Sequence, residues 1–187
     1  MSLNVVIVPV GKVDPAEVEA AAARIGKVLN AAVAVRPAVP VPRAGDDPAR
    51  GQHLAGPFLG ELRAKSAPRP AAGSPPVDAT LFVTDVDLYK PQVDGAFGEI
   101  DAVAHAAVLS VRRLREAFYK RKADPARQRA RVVKLALYAI GRVRGLPDCR
   151  DPACAMTATS ALADIDTKPE KYCAACWRRL TTGAFRI

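Results

Sequence analysis

The chain has 187 residues, half of them hydrophobic and a quarter charged, which suits one globular domain with a real core. Its apolar runs are interrupted by charge or proline before the roughly 20 residues a membrane helix requires, and the apolar opening MSLNVVIVPVG lacks a basic leader, so a cytoplasmic protein is expected. The balance of 28 Lys+Arg against 19 Asp+Glu gives +9, a charge that attracts polyanions without specificity but names no function.

In chain order, Leu3–Val10 is a β-branched apolar run and reads as a buried strand. Asp14 then caps a helix with Pro15 at its first position, and Val18, Ala22, Ile25 and Leu29 mark the inward face of Pro15–Leu29. Ala32–Arg36 reads as a second strand, the proline-rich Pro37–Gly51 as a surface loop, Gln52–Lys65 as a helix despite Pro57, and Ser66–Pro76 as another loop. Ala79–Thr84 and Ala106–Val111 are further strands, with a short edge strand at Ala96–Ile100 between them. Helices are expected over Ser110–Tyr119, Arg127–Arg144 and Lys168–Leu180. Alternating strands and helices without an internal repeat predict an α/β fold around a mixed sheet.

The helix Arg127–Arg144 carries a wide apolar arc, Val132, Val133, Leu135, Leu137, Ile140 and Val143 among it, and so is expected to be buried on most sides. The remaining stripe is Arg131, Lys134, Tyr138, Gly141, Arg142 and Gly145. It ends in the run YAIGRVRGLPDC, Tyr138–Cys149. Histidines at positions 138, 142 and 148 and a glutamate at 139 would turn this run into the zinc-protease signature H-E-x-x-H-x-x-G-x-x-H. None of those four is present: the positions hold Tyr138, Ala139, Arg142 and Asp148.

All four cysteines lie near the end, as Cys149-x4-Cys154 and Cys173-x2-Cys176. In a reducing compartment two short spacings favour metal over disulfides. Four thiolates suit one tetrahedral structural zinc, with no open position for chemistry. The alternatives are four free cysteines, or two disulfides in an oxidising compartment.

On these residues the chain resembles the archaemetzincins, small metzincin-clan zinc proteases. In that family the third histidine runs directly into C-x4-C-x-M and the pattern closes with C-x2-C, matched here by Cys149, Cys154, Met156, Cys173 and Cys176. VTDVDLY (Val83–Tyr89), Phe97-Gly98 and AVLSVRRL (Ala107–Leu114) are similar too. The resemblance implies a metzincin-like mixed twisted sheet packed with helices and an active-site helix ending at Gly145. It also implies a small zinc-bound C-terminal subdomain, 146–187, on a 1–145 body within one 1–187 domain. In the family three histidines hold catalytic zinc and the glutamate polarises its water. Here Ala139 cannot act as base, and Arg142 has no lone pair to give. A catalytic zinc is therefore not expected.

The reading that follows is an inactive homologue holding one structural zinc on Cys149, Cys154, Cys173 and Cys176, with a peptide or protein in the former cleft. An enzyme with altered chemistry would have to draw on Tyr138, Asp148, Asp85 or Asp87, although the last two are expected to serve turns. His53 and His105 stand outside any ligand spacing and read as structural. Nucleic acid at the basic run Arg112–Lys134 is a weaker alternative, since such runs are usually solvated helix faces. At the vacated metal position, Arg142 and Asp148 are expected to form a direct ion pair with the Tyr138 hydroxyl close by, since a planar guanidinium fork can hold a carboxylate with two hydrogen bonds.

Overall fold

The computed structural model describes residues 3–67, Gly73 and 75–182, so the expected loop Ser66–Pro76 falls partly outside the described residues. The β-branched opening run forms β1 (Asn4–Val10), followed by α1 (Pro15–Leu29) and β2 (Ala32–Val35). Asp14 caps α1 as its composition predicts, with Oδ1 accepting from the Ala16 N–H at 2.9 Å and Pro15 opening the first turn. Strands β5 (Ala79–Thr84), β8 (Gly98–Asp101) and β9 (Ala106–Ser110) complete a five-stranded sheet in the order β2-β1-β5-β9-β8. It is parallel throughout except for the antiparallel edge strand β8. A smaller mixed sheet runs in the order β3-β4-β6-β7, from β3 (Asp46–Asp47), β4 (Gln52–Leu54), β6 (Leu88–Lys90) and β7 (Val93–Ala96).

The central strands are apolar on both faces because both faces are covered. Val5, Ile7, Leu81, Val83, Ala107 and Leu109 pack toward α1 and α3 (Pro125–Val143). Their neighbours in sequence, Val6, Val8, Phe82 and Val108, point the other way, onto Phe58 and Leu62 of α2 (Ala55–Ser66). The period of two thus divides one sheet between two cores. Among the described residues no helix is long and apolar enough to cross a membrane.

Several expected boundaries move, each for a local reason. Residues 52–54 pair with β3 and β6 rather than starting a helix, and α2 begins at Ala55, so that Pro57 sits in its first turn, where no N–H is needed. The expected loop Pro37–Gly51 contains β3. The edge strand expected at Ala96–Ile100 breaks at Phe97, between β7 of one sheet and β8 of the other. Ser110 ends β9, and two 3-10 turns, Arg112–Leu114 and Glu116–Tyr119, replace the helix expected to Tyr119, divided where Arg115 is extended (φ −82, ψ 134). The helix expected over Lys168–Leu180 starts only at Ala174, as α5 (Ala174–Thr182), because Pro169 holds Lys168 extended (φ −68, ψ 149), and a short unexpected helix, α4 (Leu162–Thr167), precedes it.

Helix α3 sets the position of everything at the C-terminal end. Asp124 caps it by accepting from the Arg127 N–H at 2.9 Å. Gly145 ends it at φ +84, with Gly145 N–H donating to Arg142 O (2.9 Å) and Leu146 N–H to Gly141 O (2.8 Å), the paired bonds of a Schellman motif. Its apolar arc is buried as expected, but its polar stripe is not left to solvent, because residues 146–172 lie along it. Arg131, 1% exposed, donates through Nε and Nη2 to Asp166 (2.6 and 2.7 Å) and through Nη1 to Leu114 O (2.8 Å), while Nη2 also reaches Glu116 (2.7 Å). That pairing holds the Asp166 carboxyl below the usual carboxylate range. Gly141 meets Met156 so closely that a Cβ there would stand 2.2 Å from its Sδ.

Two glycine substitutions separate packing from helix propensity. Gly141→Ala improves propensity but forces Met156 out of a filled site, and it should lower stability by about 1–3 kcal/mol in denaturant unfolding. Gly60→Ala, in α2 where a Cβ meets nothing within 4 Å, should instead raise it by about 0.5–1 kcal/mol.

Candidate metal centre and cleft

The turn after α3 brings in Cys149, whose N–H donates to Met156 O at 2.8 Å and closes a loop around Cys154. The irregular 168–173 segment delivers Cys173, and α5 carries Cys176 on its first turn. The four Sγ atoms all lie within 4.8 Å of one another. Cys149 Sγ and Cys173 Sγ are 3.9 Å apart, too far for a disulfide and close to the edge of a tetrahedron with metal–sulfur bonds of about 2.3 Å, which is about 3.8 Å. Backbone N–H groups of Met156 and Cys173 point at Cys154 Sγ (3.5 and 3.3 Å), and that of Cys176 at Cys173 Sγ (3.5 Å). Burial pushes the Cys154 and Cys176 thiols up, whereas the Cys176 N–H lowers Cys173. A dication offsets the burial cost by stabilising four thiolates together. The donor set is the one a structural zinc takes, four sulfurs and a closed shell, and it can hold one ion.

The same turn places the other four positions of the frame. Tyr138 and Arg142 stand one helical turn apart, and Asp148 returns toward them past Gly145. The Tyr138 hydroxyl donates to Asp148 Oδ1 at 2.7 Å. Arg142 Nη1 donates to Leu146 O at 3.1 Å, the carbonyl just past the helix end, and remains 4.0 Å from Asp148 Oδ1. The expected Arg142–Asp148 ion pair is therefore present only as a 4.0 Å contact, without the two hydrogen bonds that a guanidinium fork can make. Tyr138 holds the carboxylate instead, and the uncapped Leu146 carbonyl claims the guanidinium. Ala139 is fully buried.

These groups do not fit a second zinc. Burial, and then the bond to Asp148, pushes the Tyr138 hydroxyl up to about 12, so it stays protonated and donates. Arg142 offers no lone pair. Beneath them lies a residue that sequence spacing did not mark. Lys168 is 2% exposed, and its ammonium donates to Ala155 O (3.4 Å), Thr157 O (2.6 Å) and Thr159 Oγ1. It lies 4.5 Å from the centre of the Tyr138 ring, and burial brings its amine down to about 8. Only its place five residues before Cys173 hinted at a role, and lysines in polar runs are usually solvated.

The other candidates lie elsewhere. Asp85 pairs with Arg115 (2.5 Å), and Asp87 takes two bonds from Arg113 (2.6 and 2.9 Å), so both are tied to arginines rather than to turn amides. His53 stacks edge-on against Phe58 with Nε2 3.6 Å from Asp46, and His105 sits in a turn at φ +49. Neither belongs to the cysteine group. Within the basic run Arg112–Lys134, Arg113, Arg115, Arg121, Arg127 and Arg131 all face carboxylates.

A cavity of about 540 Å³ opens beside the frame, bounded by Tyr138, Ala139 and Arg142 on α3, by Gly98–Ile100 on β8 and by Thr159–Ser160. β8 pairs only with β9. The Ile100 N–H reaches its neighbour's Glu99 Oε1 (3.2 Å) rather than β9, so the outer edge of β8 faces the cleft.

The sequence pattern of Peptidase family M54 matches residues 77–182, more than half of the chain. The archaemetzincin of Archaeoglobus fulgidus is 35% identical over 159 residues, 85% of this chain and 88% of that protein. That of Methanocaldococcus jannaschii is 29% identical over 180 residues, 96% and 94% of the two. Among solved structures, a zinc-dependent peptidase from Methanocorpusculum labreanum superposes with a TM-score of 0.83 at 26% identity, covering 94% of this chain and 99% of its own. The A. fulgidus archaemetzincin superposes with a TM-score of 0.75 at 32% identity, covering 95% and 99%. With a family pattern that reaches from β5 through all four cysteines, and relatives similar along nearly its whole length, this chain belongs to Peptidase family M54, the archaemetzincins.

Proposed function

We propose that this protein is a proteolytically inactive archaemetzincin that binds an extended peptide or protein segment in the former active-site cleft. The observation that carries this reading is the Tyr138–Asp148 hydrogen bond beside Arg142, which fills the position of the family's metal ligands with groups satisfied by one another. A general base is missing as well, since Ala139 stands where the family has glutamate. The cleft itself remains, at about 540 Å³, with a sheet edge along one wall. The outward edge at Gly98 and Ile100 can add a ladder to an extended ligand, with the Ile100 N–H exchanging its bond to Glu99 Oε1 for the ligand's carbonyl. Gly98 cannot be replaced without cost, since a Cβ there would stand 2.1 Å from Val108 O. In this reading the four-cysteine zinc shapes the cleft's far wall, because the Cys149–Cys154 loop and Thr159–Ser160 belong to one short segment.

The purified protein should cleave no peptide in a chelator-sensitive way, and chelator-sensitive hydrolysis of a peptide library would overturn the reading. The combined change Tyr138→His, Arg142→His and Asp148→His should raise metal content from one zinc to two per chain, while each single change should not, because ligands act as a unit. Metal analysis of the unaltered protein should give one zinc per chain. Cys173→Ser should abolish that zinc and expose the segment after Gly145 to protease, with the body comparatively resistant. Two zinc ions in the unaltered protein would contradict the assignment.

A further inference from the structure

The polar stripe of α3 is almost wholly engaged by the segment that covers it. Arg131 holds Asp166 and Glu116, Lys134 Nζ donates to Asp166 O (2.8 Å), and Tyr138 donates to Asp148. Arg142 is the exception. Of its five N–H donors it uses one, Nη1, on Leu146 O, and the Nε–Nη2 edge has no acceptor among the described residues. Two other arginines of the same chain show what that edge is suited to. Arg131 grips both oxygens of Asp166 through Nε and Nη2 (2.6 and 2.7 Å), and Arg113 grips Asp87 in the same way (2.6 and 2.9 Å).

No carboxylate on the cavity wall is free to fill the place. Glu99 is paired with Lys90 at 3.1 Å and accepts from the Ile100 N–H. Asp148 is held by Tyr138, and its near oxygen stays 4.0 Å from Nη1, the corner of the guanidinium already used. Lys90 and Glu99 offset each other, which leaves Arg142 as the surplus charge on the cavity lining. Its side chain is 39% exposed, so a ligand reaches it without unfolding anything.

We propose that the cleft selects a carboxylate-bearing peptide, and that the Nε–Nη2 edge of Arg142 is the group that grips the carboxylate while the peptide backbone lies along β8. The inference rests on the peptide-binding reading of the cleft and adds the ligand's chemistry. The carboxylate comes either from a peptide C-terminus or from an Asp or Glu side chain, which are alike to a guanidinium fork. Arg142, one turn beyond Tyr138 and level with the end of the cavity wall, is then a binding residue rather than a remnant.

The test uses three random hexapeptide pools without other acidic residues: one with free C-termini, one amidated, and one amidated with a single fixed Glu. Each is equilibrated with the zinc-loaded protein at 0.3 M NaCl, where the +9 surface attracts anions weakly, and the retained peptides are weighed by mass spectrometry. Retention of the free-acid pool or of the Glu pool should exceed that of the neutral amide pool at least tenfold, and which of the two is favoured names the source. Arg142→Gln should erase the preference while leaving retention at the level of the amide pool. Arg142→Lys, which keeps the charge but not the fork, should keep only a small part of it. Equal retention of all three pools by the unaltered protein would overturn the carboxylate inference and leave the peptide reading standing. Retention of none would overturn both. A preference that survives Arg142→Gln would remove Arg142 from the assignment.

Discussion

The structure depends on how one narrow stripe of α3 is covered. Three sides of this helix are sealed by apolar packing against the sheet and α1, and the fourth carries Arg131, Lys134, Tyr138, Gly141 and Arg142. A buried guanidinium costs several kcal/mol unless its charge and donors are met. Arg131, at 1% exposure, meets them with Asp166, Glu116 and a backbone carbonyl. That requirement pins α4, and with it the start of the run that delivers Cys173. Nearly three turns further along, the missing Cβ of Gly141 admits Met156. Tyr172, fully inside, donates to Leu137 O at 2.6 Å and ties the far end of the same segment to the helix. A charge, a gap and a hydroxyl therefore tie the C-terminal segment to α3, in addition to the cysteine centre.

This bears on what the four cysteines do. The sequence leads one to expect a tail with little core of its own, organised by its ion. In the structure Leu146, Met156, Ile165, Tyr172 and Leu180 join the cluster that includes α1 and α3. The metal centre closes the loops between these anchors rather than standing in for a core. Its closed four-sulfur donor set has no position for a reacting water, so its contribution is to shape.

At the frame positions the balance of charge explains the local arrangement. Where the family has a dication among three histidines, this chain has one carboxylate, Asp148, with a tyrosine hydroxyl bonded to it and two cations nearby, Arg142 at 4.0 Å and Lys168 under the Tyr138 ring. Lys168 tolerates burial because three oxygens accept its protons and the ring face lies above it. Partly exposed pairs such as Arg142–Asp148 contribute about 1 kcal/mol or less, so the hydrogen bond from a half-buried tyrosine wins the carboxylate.

The sequence by itself determined the elements whose signal is local. The apolar runs of β1, β5 and β9, the Asp14–Pro15 start of α1 and the glycine stop of α3 were all legible because propensity, capping and period act within a few residues. Cysteine spacing likewise marked the metal ligands, since zinc imposes its geometry on any chain that carries them. What it could not determine were contacts between distant segments. The division of Ala96–Ile100 between two sheets, the breaking of Ser110–Tyr119 by Arg113 and Arg115 reaching Asp87 and Asp85, and the late start of the last helix after the buried Lys168 were decided by tertiary partners. The cleft shows the limit most plainly. Residue types placed Tyr138, Arg142 and Asp148 around one point, but whether Asp148 went to the guanidinium or the hydroxyl depended on Leu146 O, a backbone acceptor whose need arises only when the helix ends there.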